Sequence, residues 1–125
     1  MEERICVFVC GPESSGTRML TKIFVQLGFY GTAEHYQPLD KVEDWSKISH
    51  NKIVLRRSLP HWFAFPDLKE LSGKIEKGGY RIVPVLILRD MKCTALSQIK
   101  HHKPQNIAEA EDSIWEGIRL FIDAV

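Results

Sequence analysis

The chain has few cysteines, no excess of charge of either sign and no long apolar run, and each shortage removes a class of protein. Cys6, Cys10 and Cys93 are the only cysteines in 125 residues. An odd count with two members inside apolar runs fits reduced core thiols better than a disulfide framework or a four-ligand zinc site. Seventeen Lys and Arg stand against sixteen Asp and Glu, a formal net charge of +1. Nucleic acid or an anionic membrane surface would call for a clear cationic excess, so neither is expected as the main partner. A small anion held by a few placed arginines remains compatible with this balance. The first apolar run, Ile5 to Cys10, is only six residues long and follows an acidic start, Met1-Glu-Glu-Arg. That is too short for a signal peptide or a membrane span. The expectation is a soluble protein of a reducing compartment, the cytoplasm.

The rest of the composition suits one globular domain spanning residues 1–125, with 44% hydrophobic and 26% charged residues. A chain of this size buries roughly two-thirds of its unfolded surface, enough for a core without disulfide or metal staples. Ile5 to Cys10 is continuous and β-rich and ends at Gly11-Pro12, as in a central strand covered on both faces. Met19, Leu20, Ile23, Phe24 and Leu27 then recur at helical spacing from Gly16 onward, and Gly28 is a ready stop. Phe29 to Pro38 carries no clear period, and Leu39 to Ile48 reads as a short helix. Lys52 to Leu55 is a second strand, Pro66 to Lys77 a helix ended by Gly78-Gly79, and Tyr80 to Leu88 a third strand with Pro84 its one awkward residue. Helices over Met91–His102 and Ile107–Ala124 complete the chain. Strands alternating with helices imply an α/β fold of three αβα layers around an open parallel sheet.

Gly11-Pro-Glu-Ser-Ser-Gly16-Thr17-Arg18 lies between the first strand and the first helix. In that setting, backbone N–H groups at the helix start and the helix dipole make an anion site, to which Ser14, Ser15 and Thr17 add hydroxyls. Gly16 lets the backbone approach a ligand. The spacing is that of the phosphate loop G-x-x-x-x-G-K-S/T, but Thr17 stands at the Lys position and Arg18 at the magnesium-binding hydroxyl. An ordinary ATPase or GTPase is disfavoured on that ground. The plain alternative is a turn that uses Gly and Ser for backbone freedom and capping.

The same stretch, Gly11 to Leu20, resembles the 5′-phosphosulfate loop of sulfotransferases that use 3′-phosphoadenylyl sulfate (PAPS), in the form with Gly-Thr-Arg after the loop. Leu88-Arg89-Asp90 through Ser97 to Lys100 resembles that family's 3′-phosphate motif, a strand ending in Arg with a Ser eight residues on. Ile53-Val-Leu-Arg56-Arg57-Ser58-Leu59-Pro60 is similar to the strand carrying the family's Lys-Thr-His-Leu-Pro segment. The three stretches occur in the family's order and cover about a third of the chain. The resemblance implies a P-loop-like sulfotransferase fold and transfer of a sulfuryl group from PAPS to a hydroxyl or amine, with no metal required. It assigns the 5′-phosphosulfate to the loop with Thr17, and the 3′-phosphate to Arg89 and Ser97. A guanidinium that can hold a phosphate through two parallel bonds suits that assignment.

Two positions depart from the family. Ser14 stands where a loop Lys usually stabilises the leaving oxygen, and Ser58 where the base is usually His, whereas Arg56 keeps a cation at the Lys of that segment. Arg18, Arg56 and Arg57 are the local cations available as substitutes. His61 is the nearest candidate base, with Glu34 and His35 as second candidates. The family's later Gly-rich loop, which closes over the nucleotide, has no counterpart before Val125, which implies a minimal member with an open site or a chain that ends early. Trp45, Trp62 and Trp115 read as core or cleft-wall residues. The competing functions are a P-loop nucleotide kinase or NTPase-like enzyme, and a non-catalytic nucleotide-binding homologue. The acceptor is not legible.

Overall fold

A computed structural model of the chain describes residues 3–12, 16–34, 37–59, 67–88, 90–101 and 106–124. Its centre is a three-stranded parallel sheet in the order β2-β1-β3, built from β1 (Ile5–Gly11), β2 (Lys52–Ser58) and β3 (Arg81–Leu86). β1 is flanked on both sides, Ile5 pairing with Lys52 and Arg81, and Cys10 with Arg57 and Leu86. This is where a continuous apolar run belongs, because every side chain of such a strand meets a covered face. Cys6, Phe8 and Cys10 point to one face with Ile53 and Leu55, while Val7 and Val9 point to the other with Val54.

Helices cover both faces. On the first lie α2 (Leu68–Lys77) and α4 (Ile107–Ala124), which bring Leu68, Ile75 and Phe121 into the cluster around Phe8. α3 (Met91–His101) packs on α4 through Ala95, Ala110, Ile114 and Ile118. On the second face α1 (Thr17–Gln26) contributes Leu20 and Phe24. The α/β architecture with an open parallel sheet is therefore as expected, and two of the helix starts carry side-chain caps. Asp67 Oδ1 accepts the Glu70 N–H at 3.0 Å, and Asn106 Oδ1 accepts that of Glu109 at 2.8 Å.

Several local expectations need correction. Leu39 to Ile48 is not one helix but two 3-10 turns, Pro38–Lys41 and Trp45–Lys47. Asp44 Oδ1 accepts from both the N–H and the hydroxyl of Ser46, at 3.0 and 2.6 Å. Such side-chain bonds offer the backbone an alternative to continuing a helix. The two turns still bury Leu39 and Trp45.

α1 also sits differently from its apolar period. It packs through Thr17, Leu20, Thr21 and Phe24, with Thr21 Oγ1 donating to the Thr17 carbonyl at 2.7 Å, while Met19 and Leu27 are 71% and 69% exposed. Two threonines let the helix approach the sheet closely, and the self-satisfied Thr21 hydroxyl removes the cost of burying it. Trp115, expected in the core or a cleft wall, is 59% exposed on α4. Trp45 is in the core, and Trp62 lies outside the described residues.

Pro84 fits its strand for a reason that the pattern alone did not supply. Arg81 and Ile87 donate to the Arg4 and Cys10 carbonyls at 2.8 Å each. Odd-numbered residues of β3 therefore turn their N–H groups toward β1, and even-numbered ones, Pro84 among them, turn to the open edge.

The cysteines divide by position. Cys6 and Cys10 are buried free thiols as expected, whereas Cys93 is exposed on α3. Burial pushes Cys6 up to about 12, and Cys10 is also raised by burial, against the opposing charge of Arg57. A thiol reagent at pH 8 should accordingly modify Cys93 quickly, and Cys6 and Cys10 only once the chain unfolds. Mass spectrometry of labelled protein with and without denaturant checks this. Rapid labelling of Cys6 or Cys10 in the native protein would contradict the burial.

Candidate functional site

Parallel strands end on one side of the sheet, so the segments that follow them leave from one line. Gly11 pairs with Ser58 and Cys10 with Leu86 at that edge. The ladder holds to the last residue: Leu59 donates to the Gly11 carbonyl at 2.9 Å, and Ile87 to that of Cys10 at 2.8 Å. The three stretches singled out in the sequence all depart here, with the loop strand β1 in the middle. Carboxyl ends of parallel strands are the general location of ligands in open α/β sheets.

Gly16 precedes α1 with φ of 102°, a left-handed value that glycine adopts without the steric cost other residues incur. Among the described residues no side chain caps this helix start, and its first turn holds no acidic residue. Thr17, at the Lys position of the phosphate loop, is 4% exposed, so that position supplies no cation to the edge.

The arginines of the edge separate by strand alternation. Arg56 shares the α1 side of β2 with Val54 and Ser58, while Arg57 points to the opposite side and pairs with Asp40. Arg57 also donates to the Arg56 carbonyl at 2.9 Å. Arg56 is half-buried, and its guanidinium is held below its ordinary range first by burial and then by the charge of Arg18, with Glu34 acting in the opposite direction and Arg57 adding a smaller effect. It stays protonated at any physiological pH. Arg18 and Arg56 thus lie close enough to repel each other. Arg18 is in turn paired with Glu34, its Nη2 lying 3.0 Å from each carboxylate oxygen.

Of the candidate site residues, the structure brings Gly16, Thr17, Arg18, Arg56 and Glu34 to this edge. Ser97 is half-buried on α3, which begins directly after β3. Asp90 caps α3 by accepting the Cys93 N–H at 2.9 Å, which holds its carboxyl below the usual range. Ser14, Ser15, His35, His61 and Arg89 lie outside the described residues. Arg57 lies at the same carboxyl edge, paired with Cys10, but turns to the other face because adjacent strand residues alternate.

Two further groups at the edge carried no local signal. Asp40 meets Arg57 across 17 residues of sequence, and buried Gln37 donates to the carbonyls of Thr32 and Glu34 at 2.9 and 2.6 Å. Gln37 comes from the aperiodic stretch after α1 and Asp40 from the 3-10 turn that follows it. Clefts of about 350 and 370 Å³ lie between α2 and α4 and between α2 and the second 3-10 turn, and neither is lined by Gly16, Arg18, Arg56 or Ser97. Among the described residues no three His, Cys, Asp or Glu side chains converge as a metal-binding group, and no helix is long and apolar enough to cross a membrane.

No family model, no curated protein and no solved structure matches this chain.

Proposed function

We propose that the carboxyl edge of this sheet binds PAPS and presents its sulfuryl group to a hydroxyl or amine acceptor, in a P-loop-like sulfotransferase domain. The observation that carries this reading is topological. Of three stretches that each resemble part of one nucleotide site, one follows the central strand β1, one runs along β2 to its carboxyl end and one follows β3, with the 5′-phosphosulfate loop on the central strand. A chance resemblance in sequence would have no reason to fall on neighbouring strand ends.

In the proposed reaction the acceptor oxygen or nitrogen attacks sulfur in line, and the bond from sulfur to the 5′-phosphate oxygen breaks. Adenosine 3′,5′-bisphosphate leaves and His61 takes the acceptor's proton. Such a transfer rests on positioning and charge neutralisation. Gly16 and the α1 start face the 5′ end, Arg56 supplies the nearby cation, and Arg89 with Ser97 holds the 3′-phosphate. A kinase-like reading is weakened by Thr17, buried where a phosphate-binding lysine would stand. A non-catalytic nucleotide-binding role draws support from a different observation. Glu34 and Asp40 already engage Arg18 and Arg57, two of the cations that could replace the missing loop lysine.

The test is thermal. Adenosine 3′,5′-bisphosphate at 100 times its Kd should stabilise the fold by about 2.7 kcal/mol, raising Tm by about 10 °C for a chain this long. Arg89→Ala should remove most of the rise, and ATP with magnesium should give a smaller one. No shift of the wild-type protein with the bisphosphate overturns the reading. Transfer of labelled sulfate from PAPS then separates the enzyme from a binding protein.

A further inference from the structure

Glu34 is exposed, yet the turn that carries it is built to stay in place. Its N–H donates to Thr32 Oγ1 at 3.1 Å. The side chain of Gln37, 5% exposed, donates to the carbonyls of Thr32 and Glu34, so one buried amide fastens both sides of the turn. Just upstream, Tyr30 bridges to β2, donating to the Lys52 carbonyl and accepting from the Val54 N–H, both at 2.9 Å. The turn is therefore anchored to the strand that carries Arg56. From there the Glu34 carboxylate reaches Arg18, two residues past the glycine that opens α1, and both of its oxygens lie 3.0 Å from one guanidinium nitrogen. A surface carboxylate with no role at the site would have no need of a buried anchor.

We propose that Glu34 is an internal counter-anion of the edge site, holding Arg18 until a bound phosphate or phosphosulfate group displaces it. This rests on the reading of the edge as an anion site. The ligand oxygen takes the place of a carboxylate oxygen at the same guanidinium, and Glu34, already largely exposed, turns to water. Exposed ion pairs are weak enough to be opened by a competing anion. A doubly charged phosphate gains more from the same cation than the single carboxylate charge does. Glu34 thus lowers affinity for every anion at the site and offsets part of the repulsion between Arg18 and Arg56 when no ligand is there.

A double-mutant cycle isolates the contact. Titration calorimetry of the full chain at low salt, with adenosine 3′,5′-bisphosphate and separately with inorganic pyrophosphate, is run on the wild type, Glu34→Gln, Arg18→Ala and the double variant. Glu34→Gln should tighten binding by about three- to fivefold, the scale of an exposed ion pair. In the Arg18→Ala background the same change should do nothing, because the contact it releases is already gone. Unchanged or weaker binding by Glu34→Gln overturns the proposal. Equal tightening in both backgrounds also overturns it, since general repulsion of the ligand would not need Arg18. If pyrophosphate follows the expected pattern while the nucleotide fails to bind, the counter-anion stands and the PAPS reading falls. If neither binds to any variant, both fall.

Discussion

Replacing Phe8 with alanine should come close to unfolding this protein. Phe8 is fully buried at the middle of β1, between Leu55 of β2 and Pro84 of β3, in the cluster shared with α2 and α4. Truncating a buried phenylalanine removes its transfer free energy and leaves a cavity, together about 3–5 kcal/mol. For 125 residues that lowers Tm by about 12–20 °C, a large share of the roughly 5–15 kcal/mol that holds a domain folded. The central strand has no freedom to shift into the gap, because ladders on both sides fix its register. Equilibrium denaturation should show a lower midpoint with an unchanged slope. A loss below about 1 kcal/mol would mean that the sheet is not packed as described.

The second large effect comes from adding atoms rather than removing them. Gly117 lies on the inner face of α4, where a Cβ would stand 2.4 Å from the Leu59 carbonyl oxygen and 2.8 Å from its Cβ. Backbone cannot yield as a flexible side chain can, so Gly117→Val must push α4 away from the end of β2. Overpacking of this kind costs about 1–3 kcal/mol or more, and the displaced helix would also uncover Phe121 and Ile118, so we expect a loss at the upper end of that range. Gly73 gives the control. It is exposed on α2, and a Cβ added there would meet nothing within 4 Å, so Gly73→Ala should stabilise by about 0.5–1 kcal/mol through helix propensity alone. Opposite signs for two glycine substitutions in two helices would confirm the close approach. Two equal signs would refute it.

How far the sequence can be read depends on how local the deciding interaction is. Ile5 to Cys10 announces a central strand because burial on both faces leaves no polar alternation. The carboxyl-edge location of Gly16, Arg18 and Arg56 follows from strands and helices taking turns. The inner face of α1 is misjudged from its pattern because apolar spacing covers more of that helix than the sheet does, and two threonines take the closest positions. The 39–48 stretch fails on a bond between Asp44 and Ser46 that competes with helix. Glu34, Gln37 and Asp40 are out of reach for a different reason. Glu34 and Asp40 meet Arg18 of α1 and Arg57 of β2, and nothing in the sequence says which arginine each carboxylate will meet, while Gln37 turns back on Thr32 and Glu34 only because of how the loop folds. Glu34 stands out in the sequence as a polar candidate, but as a base rather than as the partner of Arg18.

Pro84 bears on how this protein behaves in a crowded solution. An outer strand with a full row of free donors is a template on which another chain can grow a sheet. On β3 the outward row runs Ile82, Pro84, Leu86, and its middle member has no hydrogen to give. A strand laid against it would lose a bond at its centre and meet the pyrrolidine ring there. The residue that looks out of place in a strand thus guards the sheet against sideways self-association.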